Sequence, residues 1–135
     1  MRRNEQHSPF VLLPENLHMF SFTIAKRLKT AGFPQRFAGD FAFNEQGRAV
    51  QLSIERLLEA ENTEISIPTL NELIKACGEK FGGLERFLDG TRNRFRAYTH
   101  IPEIPSGYAD TPEEAVARLW LFLNRESASL HRRQP

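Results

Sequence analysis

Apolar residues recur with the period of an α-helix in three segments of the chain. The first segment, FTIAKRLKTA, predicts a helix over residues 22–31. Ser21 lies where an N-cap is needed, and Gly32 lies where a left-handed residue ends many helices. Its apolar face is predicted to consist of Phe22, Ala25, Leu28 and Ala31. Its cations lie toward the C-terminal end, where the helix dipole favours positive charge: Lys26, Arg27 and Lys29.

The second helix is predicted over residues 69–77. Thr69 and Glu72 have the spacing of a capping box, in which each side chain bonds to the backbone N–H of the other residue. Gly78 ends the segment. The residues that share its apolar face are Leu70, Leu73, Ile74 and Cys77.

The third helix is predicted over residues 112–124. Thr111 is the N-cap, Pro112 takes the first helical position and Glu114 completes a second capping box. A wide apolar stripe, suited to covering a sheet, consists of Ala115, Val116, Leu119, Phe122 and Leu123, with Trp120 at its border. The opposite face is predicted to consist of Ala117, Arg118, Leu121 and Asn124.

Two segments alternate with the period of a β-strand, and each predicts a hairpin. In the first, Phe41 and Phe43 precede the turn NEQG, and Val50, Leu52 and Ile54 follow it. A helix over residues 49–60 is the alternative, because this stretch ends in good helix formers. A short extended segment is predicted at residues 64–67, before a proline.

The second hairpin is predicted in LERFLDGTRNRFRAYTH, with its turn at Asp89 and Gly90. Alternation in the second strand places Phe95, Ala97 and Thr99 on one face and Arg94, Arg96 and Tyr98 on the other.

These elements predict an α+β fold in which two antiparallel hairpins form a small sheet packed by the three helices. The predicted organisation is an N-terminal arm over residues 1–20, a single domain over residues 21–124 and a polar C-terminal tail over residues 125–135. The arm carries two prolines and shows no sustained period.

Composition narrows the classes of function. The chain has 135 residues, 40% of them apolar, which suits one domain with one core. Its formal charge of +1 gives no overall field that would attract nucleic acid or a membrane, so such binding would need a local patch. No apolar run approaches the roughly 20 residues that span a bilayer, and no apolar leader segment follows Arg2 and Arg3. A cytoplasmic protein without a membrane partner is predicted.

Three blocks occur in order between residues 21 and 124: TIAKRLKTAGFPQ, IPTLNELIKACGEKF and GYADTPEEAVARLWLFLN. Together they resemble a family of short uncharacterised proteins of tailed bacteriophages and prophages. The resemblance implies origin in a mobile element and a small accessory role in the cytoplasm of a bacterial host, and it implies no catalytic residue. The segment IPEIPSGYADTPEEA also resembles HicB-type antitoxins, although a threonine-capped helix start explains this likeness by convergence.

The residue patterns of common catalytic and metal sites are missing from the sequence. Four scattered histidines and one cysteine give no zinc-ligand spacing, and no glycine-rich phosphate loop is present. Cys77 lies on an apolar helix face, where a buried, inert thiol is expected. Glu113 and Glu114 are explained by the helix start. The sequence therefore predicts no enzyme activity, no cofactor and no metal.

One strand carries the residues that predict a binding site: Arg92, Arg94, Arg96 and Tyr98. Arginines beside an aromatic ring contact phosphates and stack on bases, and the same residues suit a partner protein. They also suit a solvated edge strand with no partner. Glu85 and Asp89, across the hairpin, are predicted to neutralise part of this charge.

The leading hypothesis is a non-enzymatic accessory protein that binds a host or phage protein. Eleven phenylalanines and one tryptophan are many for a small core, and surplus aromatics at the surface would serve a partner protein or a homodimer. The alternative is a small nucleic-acid-binding module that uses the arginine-rich strand. An enzyme with an unrecognised site would need a pocket with convergent polar groups.

Overall fold

The structure is a computed structural model. The described residues are 20–39, 41–53, 55 and 64–133. The predicted arm lies outside them except for Phe20, which is buried. The sequence left strand and helix as alternatives for residues 49–60, and residues 54 and 56–60 of that segment also lie outside the described residues.

Helix α1 spans Phe22–Thr30 and begins as predicted. The Ser21 hydroxyl accepts a hydrogen bond of 3.1 Å from the backbone N–H of Ile24, which satisfies one donor that has no partner within the helix. The residues buried by this helix are Ile24, Ala25 and Leu28. Ala31, predicted to share the buried face, is exposed, because the helix is rotated to bury Ile24.

The first sheet is antiparallel and has the strand order β2-β1-β3. Its strands are β1 at Phe41–Phe43, β2 at Ala49–Gln51 and β3 at Ile65–Ser66. The strand predicted to reach Ile54 ends at Gln51, because β1 offers only three residues for pairing. Glu55 is helical, and the extended segment predicted at residues 64–67 supplies the third strand.

Helix α2 spans Leu70–Cys77 and carries the predicted capping box. The Thr69 hydroxyl accepts from the N–H of Glu72 at 3.1 Å, and the Glu72 carboxylate accepts from the N–H of Thr69 at 2.9 Å. A short 3-10 helix, Gly78–Lys80, then leads into the second sheet.

The second sheet is also antiparallel and has the strand order β4-β5-β6. Its strands are β4 at Phe81–Asp89, β5 at Arg92–Thr99 and β6 at Gly107–Ala109. The α+β class is therefore confirmed, but the described residues form two sheets where the sequence predicted one. The reason is that β3 pairs with β1 and β6 pairs with β5, so each short strand completes a separate sheet.

Helix α3 spans Pro112–Arg133 and is longer than predicted. The expected tail, RESASLHRR, continues the helix because it contains no glycine or proline to end it. At its start, the Thr111 hydroxyl accepts from the N–H of Glu114 at 3.3 Å. The Glu114 carboxylate also accepts from the N–H of Ser21, which ties the start of α3 to the start of α1.

Two sides of α3 are buried, and this corrects the predicted single apolar stripe. Ala117 and Leu121 were predicted to face away from the core, yet both are buried. The helix packs against β5 and β6 as well as against α1 and α2, so residues on either side meet a neighbour. Trp120 is also buried, and its ring meets that of Phe33 edge to face at 5.0 Å.

Candidate binding surface on the second sheet

The structure brings the four residues singled out in the sequence onto one face of β5. Alternation along the strand places Arg92, Arg94, Arg96 and Tyr98 on the face that does not pack on α3, although the first two also line a small pocket with residues of α3. Ala97, on the other face, is fully buried. We call the side of the second sheet that is directed away from α3 the outer face.

Strand register determines the neighbours of these arginines. On β4, Asp89 lies opposite Arg92, Phe87 opposite Arg94, and Glu85 opposite Arg96. On β6, Tyr108 lies opposite Arg96. Residues opposite each other in an antiparallel pair point to the same side, so all of them belong to the outer face.

Arg96 is held by three contacts. Its Nη1 donates to Glu85 Oε1 at 3.3 Å, and its Nε donates to the Ser106 hydroxyl at 3.1 Å. Its guanidinium carbon lies 4.6 Å from the centre of the Tyr98 ring, a distance typical of a cation–π contact. The Arg96 side chain is therefore positioned by the protein before any partner arrives.

Arg92 and Arg94 share one carboxylate oxygen, Asp110 Oδ1. The Nε atoms of Arg92 and Arg94 lie 3.7 Å and 3.4 Å from it, respectively. Arg92 also lies 4.0 Å from Asp89. The predicted neutralisation by Glu85 and Asp89 is thus present, and Asp110 adds a third carboxylate.

Three arginines facing three carboxylates leave the outer face without a strong positive field. Exposed ion pairs contribute only about 0–1 kcal/mol each to stability, but the three carboxylates would repel a phosphate that approaches the arginines. A nucleic acid would have to displace carboxylates from these arginines. The arrangement therefore disfavours the nucleic-acid hypothesis for this strand.

The outer face also carries exposed aromatic surface. Tyr108 is 48% exposed, and its ring meets that of Phe87 edge to face at 6.1 Å. Tyr98 lies over Gly83, where a Cβ atom would overlap its hydroxyl group. The glycine thus makes room for a tyrosine ring to lie flat on the sheet.

Sequence reasoning missed three members of this surface: Phe87, Tyr108 and Asp110. The turn predicted at Asp89 and Gly90 lies one residue too early, because Asp89 pairs with Arg92 and the chain turns at Gly90 and Thr91. This register places Phe87 opposite Arg94. Asp110 and Tyr108 could not be predicted, because they arrive through the pairing of a three-residue strand that shows no period of its own.

The described residues hold no group of three or more histidine, cysteine or acidic side chains arranged to hold a metal ion. Nor does any described helix combine the length and apolar character that a membrane span requires. His100 is exposed. The structure therefore offers no candidate metal site among the residues that it describes.

Cys77 is buried on α2, and burial raises the pKa of its thiol from 9.0 to about 12. Since the thiolate is the reactive form, this shift lowers the reactive fraction of the thiol at neutral pH. We expect Cys77 to resist a thiol reagent in the native protein and to react rapidly in denaturant. Timed labelling read by mass spectrometry checks this, and equal rates in both conditions would contradict the buried placement.

Comparison of the chain with protein-family models, curated proteins and solved structures finds no match. The resemblances to phage proteins and to HicB-type antitoxins therefore stay predictions.

Proposed function

We propose that the protein is a non-enzymatic protein-binding module that contacts its partner through the outer face of the second sheet. The proposal rests on an exposed tyrosine, Tyr108, beside half-buried aromatic rings and arginines that are paired with carboxylates. The phage resemblance supplies the setting, an accessory protein in the cytoplasm of a bacterial host that binds a host or phage protein.

Tyrosine, phenylalanine and arginine are enriched in the centres of protein interfaces, where a few of them supply most of the binding energy. Tyr108 offers aromatic area that loses little conformational freedom on binding. Arg96 is held by Glu85 and Tyr98, so its guanidinium is ordered in advance. Tyr108 and Arg96 therefore form an ordered centre that polar side chains surround.

A pull-down from bacterial lysate, with and without nuclease, tests the proposal. We expect the wild-type chain to retain a stoichiometric protein after nuclease treatment. Tyr108→Ala and Arg96→Ala should each weaken the affinity for that protein by about tenfold or more, because both truncate the centre of the surface. Lys80→Ala is the matched control, since Lys80 is an exposed cation in the 3-10 turn before β4.

Two results would contradict the proposal. One is that Tyr108→Ala and Arg96→Ala retain the partner as well as Lys80→Ala does. The other is recovery of mainly nucleic acid, with salt-dependent binding that disappears when Arg92, Arg94 and Arg96 are all replaced by alanine. That second result would instead support the arginine strand as a nucleic-acid site.

A further inference from the structure

A second candidate site lies on α1, separated from the outer face by α3. An open groove of about 720 Å³ runs between α1 and α3. Residues of α1 line it from Phe22 to the cap residue Ala31, and α3 contributes Leu121 and Asn124. Because α3 packs against both α1 and the second sheet, the groove and the outer face do not overlap.

The shape of the groove follows the helix. Its α1 residues form two rows with a spacing of four, one at positions 22, 26 and 30 and the other at positions 23, 27 and 31. Rows of this spacing run along a helix, so the groove extends for about 13 Å at the usual rise per residue. This length matches two to three turns of a helix placed alongside.

The groove has apolar surface beside positive charge. Half-buried Phe22 and exposed Ala31 supply the apolar surface above the buried Leu121, and Lys26 and Arg27 are exposed beside it. The Lys26 ammonium lies 5.3 Å from the centre of the Phe22 ring. An occupant must therefore offer an apolar stripe together with negative charge.

The charge on α1 differs from that of the arginines on β5. Lys26, Arg27 and Lys29 have no carboxylate within ion-pair distance among the described residues, and α1 itself contains no acidic residue. The helix dipole accounts for their position in the sequence but gives them no counter-ion. Within the described part of the chain, the cations of α1 therefore lack a paired carboxylate, whereas the arginines of the outer face have one.

We infer that this groove binds an acidic amphipathic helix of a partner protein. Helices that bind in grooves present apolar residues at spacings of three and four, which suits the two rows of α1. Acidic residues on the adjoining face would meet Lys26 and Arg27. Nucleic acid fits less well, because the cations are few and they border apolar side chains.

The test measures fluorescence anisotropy of a labelled peptide of about 18 residues, titrated with the full chain. The peptide carries glutamates with a spacing of four on one face and leucines on the adjoining face. One comparison peptide has lysines in place of the glutamates, and another has the same composition in scrambled order. We expect saturable binding that is at least about tenfold tighter than that of either comparison peptide.

Four variants on α1, one of them a control, locate the binding. Lys26→Glu and Arg27→Glu should each weaken binding by about tenfold. Lys29→Glu is the matched control, because it makes the same charge change on the same helix outside the groove, and it should change affinity by less than about threefold. Thr30→Trp fills the groove without altering charge and should also weaken binding. Circular dichroism verifies that each variant is folded.

The inference is overturned if the acidic peptide shows no saturable binding, or if Lys29→Glu weakens binding as much as Lys26→Glu does. It is also overturned if an oligonucleotide displaces the peptide at equal affinity, or if Thr30→Trp abolishes a dimer of the chain, since either result assigns the groove to another occupant. Tyr108→Ala should leave peptide binding unchanged, so this test and that of the outer face can fail independently.

Discussion

Replacing Gly107 with alanine is expected to destabilise the protein by about 3 kcal/mol. Strand β6 packs directly on α3 at this position, and an added Cβ atom would overlap the carbonyl oxygen of Ala115 and lie 2.7 Å from the backbone nitrogen of Leu119. Both are backbone atoms inside a helix, so the contact can be relieved only by separating the helix from the sheet. Urea unfolding followed by far-UV circular dichroism measures the loss.

Gly39→Ala provides the matched control for this substitution. Gly39 has no described atom within 4 Å of the position its Cβ would take. Its replacement should change the free energy of unfolding by less than about 1 kcal/mol, in either direction. Equal effects of the two substitutions would mean that β6 does not approach α3 as closely as described.

The Gly107 variant also bears on the proposed function. Tyr108 is the next residue on β6 and projects to the outer face, so a strand displaced from α3 carries its ring out of position. We therefore expect Gly107→Ala to weaken partner binding even under conditions in which the chain is still folded.

Helix starts could be predicted because their causes are local. Ser21 and Thr69 each bond to a backbone group three residues away, so the spacing in the sequence contains the whole interaction. Alternation in β5 could be predicted for the same reason, since successive side chains of a strand point to opposite faces.

Sheet assembly could not be predicted, because it depends on pairing between distant segments. Strand β3 has two residues and β6 has three, which is too short to show a period. Their positions decide that there are two sheets in the described part of the chain. They also bring Asp110 to the arginines, and this neutralisation changes the interpretation of the candidate site.

The burial of two sides of α3 also depends on contacts with segments that are distant in the sequence. Ala117 and Leu121 follow the period of an exposed face when the helix is considered alone, and both are buried in a helix that packs against α1 and α2 as well as the second sheet. For the cations of α1, the sequence explains where they lie but not whether they are paired. The helix dipole accounts for their positions, but only the structure shows that no described carboxylate pairs with Lys26, Arg27 or Lys29.

Trp120 links α3 to the loop that follows α1. Its side chain on α3 meets the ring of Phe33, which lies in the loop after α1. In that loop, Gln35 donates to the carbonyl oxygen of Phe33 and accepts from the N–H of Ser66 on β3. The tryptophan therefore stabilises the contact between the long helix and the loop that borders the first sheet.

Trp120→Ala is expected to cost about 3–5 kcal/mol, because it removes a large buried side chain and leaves a cavity. The edge-to-face contact with Phe33 accounts for about 0.5–1.5 kcal/mol of this loss. Chemical denaturation followed by circular dichroism measures it, and Trp120→Phe, which retains part of the ring contact, should lose less. Leu88→Ala is the control, since Leu88 is 71% exposed and should change stability by less than about 0.5 kcal/mol.

The loss should reach the first sheet through the Phe33 loop. A protein of this size has about 5–15 kcal/mol of stability, so Trp120→Ala should leave the native state only marginally favoured. Hydrogen exchange should then accelerate at Ser66, whose N–H bonds to Gln35 at 2.8 Å. If Trp120→Ala costs less than about 1 kcal/mol and leaves exchange at Ser66 unchanged, the tryptophan does not connect α3 to this loop, because a large buried ring cannot be removed so cheaply.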